Sequence, residues 1–239
     1  GAQLAHRAQS EWAARPIAER ARLLLDFHDH LLDQRDYFID LLQSHGKDRL
    51  SAANEVFHLA LTARYYGRTA RRYLHSERGE GILPLLTRVD RHYVPKGLVG
   101  VIGPWNYPLT MAICDGLAAL VAGNAIMLKP DHQTPLVALA AVELLRRTGL
   151  PPDVWQVVHG RGTVVGGELI NVSDYVCFTG STATGRRVAA QCADRLIALA
   201  RAHIWADACR SLPILPAALG KNAGVIGAAL AGCQLSTTG

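Results

Sequence analysis

From Leu98 onward, short apolar runs rich in β-formers (Leu98–Ile102, Ala125–Leu128, Val154–Val158 and Tyr175–Phe178) alternate with stretches of helical period such as Leu136–Arg147 and Ser181–Cys192. Strands alternating with helices at this spacing form βαβ units, because parallel neighbours need a crossover long enough to bring the chain back to the same end of the sheet. The pattern predicts an α/β fold: a Rossmann-like, doubly wound, mainly parallel sheet with helices on both faces from about Leu98 to Leu199. Sheets of this kind bind ligands in the crevice at the carboxyl ends of their strands. The loops after Ile102, Leu128, His159 and Phe178 are therefore the places where chemistry is expected.

The sequence before Leu98 reads differently. From Ala2 to His75 the period is helical: Ile17, Leu23, Leu24, Phe27 and Leu31 form a core-facing stripe after Arg15-Pro16, a first-turn proline. Tyr37, Phe38, Leu41 and Leu42 mark a second helix ended by Gly46, and Ala52 to Leu74 a third, with Val56, Leu59, Ala63 and Tyr66 on one face. Residues 1–80 are thus expected as a helical layer. Around 81–96 a strand or hairpin segment follows, since Arg88–Val94 alternates polar and apolar side chains as a half-exposed strand does. Beyond about residue 200 the chain has only four charges, Arg201, Asp207, Arg210 and Lys221, amid Ala, Gly, Pro and Leu, with no clear period.

Several function classes drop out. A net charge of +5 would suit nucleic acid only if the basic residues gathered in a stripe, and here they are interspersed with acids. Residues 97–114 are uncharged, yet Gly103-Pro104 and Pro108 interrupt them, so no membrane span is expected. The five cysteines are an odd number without a Cys-x-x-Cys pair, and His28 and His30 lie two apart on different helix faces. Neither a disulfide framework nor a metal site is expected, and a reducing cytoplasm fits best. Gly1 stands where an initiator Met would, which suggests sequence missing upstream.

The loops at the predicted strand ends read Gly103-Pro104-Trp105-Asn106-Tyr107-Pro108, Lys129-Pro130-Asp131-His132-Gln133-Thr134-Pro135, His159-Gly160-Arg161-Gly162 and Phe178-Thr179-Gly180-Ser181-Thr182. Together they offer a neutral amide donor, a cation, and a small-residue turn at a helix start whose backbone N–H groups can meet a phosphate. Those are parts for a dinucleotide and a developing oxyanion. Each is weak alone, since a Gly-Ser-Thr turn opening a helix also serves as a plain N-cap.

In this order and spacing, from Trp12 to about Ile197, the chain resembles the aldehyde dehydrogenase superfamily. The resemblance is carried by Val94-Pro95-Lys96-Gly97 through Gly103-Pro104-Trp105-Asn106-Tyr107-Pro108, by Ala122-Gly123-Asn124 through Lys129-Pro130, and by Phe178-Thr179-Gly180-Ser181. Among its branches it looks most like bacterial NADP-linked succinate-semialdehyde dehydrogenases. The resemblance implies oxidation of a small-molecule aldehyde with NAD or NADP. Asn106 would donate its side-chain amide to the tetrahedral oxygen, a contact that contributes on the order of 3 kcal/mol to the transition state. Trp105 would line the passage between cofactor and substrate, or pack in the core, and the two are compatible. Lys129 would contact the adenosine ribose. Ser181, with the helix start it opens, would hold the pyrophosphate, and Gly162 and Gly180 would also bind the cofactor. Many NAD-preferring members carry a carboxylate at position 132. Here it is His132, so a 2′-phosphate is repelled less and NADP is favoured. Some relatives read a distal substrate carboxylate with an arginine eight positions after the motif asparagine, where this chain has Cys114.

The resemblance fails in the last forty residues. The family's general base lies in a Glu-Leu-Gly-Gly segment, but no glutamate follows Glu168, and the corresponding stretch reads Ala200-Arg201-Ala202-His203-Ile204-Trp205-Ala206-Asp207. Asp207 or His203 would serve only by coincidence. The family's nucleophile lies in an Asn-x-Gly-Gln-x-Cys segment, whereas Cys233 stands in Gly232-Cys233-Gln234. Two readings of Cys233 stay open: a loose or buried free thiol, which is preferred, and a displaced nucleophile. The expected organisation is an NAD(P)-binding domain over 1–197 and a degenerate start of a catalytic domain over 198–239. The remainder of that domain, and the oligomerisation strand that family members use to form homo-oligomers, would be absent. Two function classes follow: an aldehyde-oxidising enzyme impaired in this form, and a non-catalytic cofactor-binding or vestigial product.

Overall fold

A computed structural model of the chain describes residues 1–80, 82–83 and 87–203, of which residues 80 and 200–203 are described by their backbone alone. It falls into two compact units, Gly1–Cys192 and Ala193–Gly239. The first opens with four helices, α1 (Ala2–Ala14), α2 (Ile17–Asp33), α3 (Arg35–Ser44) and α4 (Arg49–Leu74). Arg15-Pro16 divides α1 from α2, with Pro16 at the N-cap one position before the helix proper, because proline has no N–H to give the preceding turn. The stripe Leu23, Leu24, Phe27 and Leu31 is buried and packs with Phe38, Leu42, Val56, Leu59 and Ala63.

After α4 comes an antiparallel pair, β1 (Glu77–Glu80) with β2 (Arg88–Arg91), in the register Glu77↔Arg91. All four residues of β2 are exposed, so this strand is not half-buried as its alternation suggested: two strands alone have no third layer to cover either face.

The main sheet contains β3 (Leu98–Ile102), β4 (Ala125–Lys129), β5 (Trp155–Val157) and β6 (Tyr175–Phe178), all parallel, in the order β5-β4-β3-β6. Between them run α5 (Thr110–Val121), α6 (Pro135–Arg147) and α7 (Gly162–Val172), and α8 (Thr182–His203) follows β6. Both faces are covered. Val99, Val101, Ile126 and Leu128 join the core of α2 to α6, while their alternate neighbours Leu98, Ala125 and Met127 meet Ala5 of α1 and Leu169 of α7. This is the doubly wound arrangement that near-continuous apolar strands require.

Helix α8 outruns the expected Ser181–Cys192 and stays helical to His203, because neither glycine nor proline interrupts residues 186–203. The stretch aligned with the family's base therefore begins inside a helix. Residues 97–114, the uncharged run, resolve into β3, a loop and the start of α5. Among the described residues no helix is long and apolar enough to cross a membrane.

Candidate functional site

The carboxyl ends of three strands are level. Ile102 pairs with Lys129 on one side and with Phe178 on the other, and Leu128 with Val157. Beyond the strands the loops remain tied: the Gly103 N–H donates to the Lys129 carbonyl (3.1 Å) and the Thr179 N–H to the Ile102 carbonyl (3.1 Å). The segments bearing Trp105, Asn106, Lys129, His132, Gly162, Gly180 and Ser181 thus leave one edge of one sheet. The chain winds from β3 out to β5 and then returns to place β6 on the other side of β3, so this edge carries the topological switch point where such sheets bind ligands.

Asn106 is exposed and its loop is held from below. The Lys47 ammonium donates to the Asn106 carbonyl (2.7 Å), lies 4.0 Å from the centre of the Tyr107 ring, and pairs with the Glu55 carboxylate. The other oxygen of Glu55 accepts from the N–H groups of Leu109 (3.1 Å) and Thr110 (3.0 Å) at the start of α5. Neither Lys47 nor Glu55 was singled out from the sequence. The signal was there, because Glu55 is an acid among the apolar positions Ala52, Val56 and Leu59 of α4, and an acid on a buried helix face needs a partner. Trp105 is 61% exposed, so among the described residues its ring is not part of the core.

Lys129 is buried, and burial lowers its pKa while Asp131 opposes the shift. Its ammonium carries three N–H donors, and the Pro130 carbonyl accepts one at 3.1 Å. Gly162 opens α7 beside it, where a Cβ would lie 3.9 Å from the Lys129 Cε. His132 is exposed with Nδ1 3.3 Å from the Asp131 carboxylate, and the same oxygen accepts from the Gln133 N–H (3.0 Å). The nearest acid is therefore occupied by its own loop. Ser181 accepts the Thr184 N–H at 3.3 Å and donates to the Thr184 hydroxyl at 3.1 Å, so its side chain caps α8. What it leaves for a phosphate is the helix start itself. A Cβ at Gly180 would come 2.6 Å from the Phe178 ring, so any larger residue there has to push that ring aside.

Cys114 lies mostly buried in α5, and burial pushes its thiol up to about 11. It offers no charge in place of the arginine that some relatives use. Cys233 and Asp207 lie outside the described residues, as does the side chain of His203. Among the described residues no three His, Cys, Asp or Glu side chains gather as a metal site would require.

The chain is 48% identical over 194 residues to a Mycolicibacterium smegmatis protein provisionally named succinate-semialdehyde dehydrogenase (NADP+), covering 81% of this chain and 38% of that one. Among solved structures it resembles an NADP-dependent glyceraldehyde-3-phosphate dehydrogenase of Bacillus halodurans complexed with NADP (TM-score 0.75, 34% identity, 80% of this chain and 41% of the other). It also resembles an NAD-dependent benzaldehyde dehydrogenase of Corynebacterium glutamicum (TM-score 0.73, 31% identity, 78% and 41%). The chain thus spans about two fifths of the length of these relatives. The profile of the aldehyde dehydrogenase family matches residues 2–202, and on that match this chain belongs to the aldehyde dehydrogenase family.

Proposed function

We propose that residues 1–197 are the NAD(P)-binding domain of an enzyme that oxidises a small aldehyde to a carboxylic acid, and that the 239-residue sequence by itself binds cofactor without completing that oxidation. The observation that carries the reading is the register Ile102↔Lys129 and Ile102↔Phe178, which sends the Asn106, Lys129 and Ser181 loops from one edge. Lys129 and Gly162 would hold the adenosine ribose side, and Gly180, Ser181 and the first turn of α8 the pyrophosphate, with Trp105 between cofactor and substrate. A bound nicotinamide cofactor supplies the hydride acceptor. Asn106 would donate its Nδ2–H to the aldehyde oxygen as negative charge develops there.

NADP is favoured over NAD. No carboxylate stands at position 132, Asp131 is engaged within its own loop, and the buried Lys129 cation gains by meeting an anion in a poorly solvated place. The mycobacterial relative and the Bacillus halodurans enzyme are both named for NADP, which supports the same reading. The substrate class proposed is a semialdehyde such as succinate semialdehyde, on the mycobacterial similarity, although Cys114 cannot read its carboxylate. The scattered basic residues and lack of a long apolar helix among the described residues support a setting in the cytoplasm without nucleic-acid or membrane partners.

Fluorescence titration tests the reading. NADP should bind more tightly than NAD, and Lys129→Ala should weaken NADP by about tenfold or more, the range for loss of a charge-assisted contact. Equal or tighter binding of NAD overturns the preference, and binding of neither cofactor overturns the site.

A further inference from the structure

We propose that Lys47 and Glu55 act as a clamp that positions Asn106, fixing the backbone of its loop from α4 and so aiming its carboxamide. The proposal rests on the reading of Asn106 as the oxyanion donor and adds to it the residues that hold that donor in place. Glu55 is almost wholly buried, its side chain 1% exposed, and a carboxylate in that position is costly unless charge and hydrogen bonds compensate it. Compensation comes from three sides: the Lys47 ammonium and the N–H groups of Leu109 and Thr110. Helix α5 has no side-chain cap of its own at Leu109, so Glu55 caps it from 54 residues away.

Stability alone would be served by a local cap. The distinctive feature is Lys47, whose single ammonium joins Glu55 to the carbonyl of Asn106 and also sits against the Tyr107 ring. Residues 106, 107, 109 and 110 are thereby held on both sides of Pro108. A shift of the loop that carries the Asn106 Cα, and with it the side chain, away from α4 has to break the Lys47 contact. An oxyanion donor needs this fixity, since a displacement of about 1 Å from productive geometry can cost on the order of a hundredfold in rate.

The test uses amide hydrogen exchange and NMR on the 239-residue chain with Lys47→Met and Lys47→Arg. In Lys47→Met, exchange at Leu109 and Thr110, whose N–H groups donate to Glu55, should rise by about tenfold or more, while Val99, Ile126 and Leu128 in the sheet change by less than about threefold. The side-chain amide resonances of Asn106 should shift, and Lys47→Arg, which keeps the charge and its donors, should restore both. A uniform rise across loop and sheet, or Asn106 resonances that stay in place, would overturn the clamp. Cofactor titration of the unaltered chain reports separately on the functional reading, so failure of one is not mistaken for failure of the other.

Discussion

Cys114 shows what a single residue can lose and keep. Burial holds its thiol up to about 11, so at neutral pH the protein keeps it protonated and unreactive. At pH 8 iodoacetamide should modify Cys114 in the folded chain about a hundredfold more slowly than in the urea-unfolded chain, where the ordinary thiol pKa near 8.5 applies. Mass spectrometry of the peptides decides this, and equal rates would mean an accessible thiol. The linked effect on stability has a definite sign. Because the folded pKa is raised, the stabilising contribution is complete below the unfolded value and is lost as pH rises from about 9 through about 11. The sequence could place Cys114 in the family's frame but not say whether the thiol faces substrate or core, since an apolar helix such as α5 is buried on several sides. Lys47 and Glu55 escaped for another reason: the partners of Glu55 lie 54 and 55 residues downstream, beyond the reach of periodicity.

At the scale of elements, the strands and crossovers of the sheet were legible because burial on both faces forces continuous apolar runs between helical periods. The strands Leu98–Ile102 and Tyr175–Phe178 have the bounds expected, while β4 differs by one residue at one end and β5 by one at each end. The N-terminal region was legible as helical, but its division into four helices depends on Pro16 and on how α1 attaches. Trp12 donates to the Leu120 carbonyl (2.8 Å) and Arg20 to that of Val121 (3.0 Å), so the end of α5 is capped by side chains from α1 and α2. Two polar side chains fix the start of β3. Asn124 accepts the N–H groups of Lys96 (2.6 Å) and Gly97 (3.1 Å), and Asp174 accepts that of Leu98 (2.8 Å). Gly97 has φ +118 and would place a Cβ 2.3 Å from the Asp174 carboxylate, so any other residue there is strained and displaces that side chain. Contact between α5 and β5 is equally close: a Cβ on Gly116 would come 2.3 Å from the ring of Trp155, which is fully buried. Alanine at 116 gains helix propensity of up to about 1 kcal/mol but must displace that ring, and overpacking costs about 1–3 kcal/mol. Gly116→Ala should therefore lower the urea midpoint, with a change in Trp155 emission. A raised midpoint would show that the ring yields and propensity wins.

The whole molecule poses the question of which steps its parts can perform. The residues proposed to bind cofactor and to hold the oxyanion, and Lys47 and Glu55 beneath Asn106, all belong to the unit Gly1–Cys192. Covalent aldehyde oxidation needs more: a thiolate aligned with Asn106 and the cofactor, then a water activated by a positioned carboxylate to release the acyl group. The sequence has no glutamate after Glu168, and the stretch corresponding to the base starts within the continuous helix α8. Cys233 stands in a Gly-Cys-Gln order rather than the family's Gly-Gln-x-Cys. Losing the base alone costs about 10²- to 10⁴-fold in the step it serves, and displacing the nucleophile removes the covalent route. The purified 239-residue chain should accordingly bind NADP yet yield no reduced cofactor above background with succinate semialdehyde or simple aliphatic aldehydes. Absorbance of the reduced cofactor measures this directly, with Cys233→Ala as the control. Cofactor reduction that persists in Cys233→Ala would point to a nucleophile elsewhere. Robust turnover abolished by that substitution would instead establish Cys233 as the nucleophile and show that a water can be activated without a glutamate after Glu168.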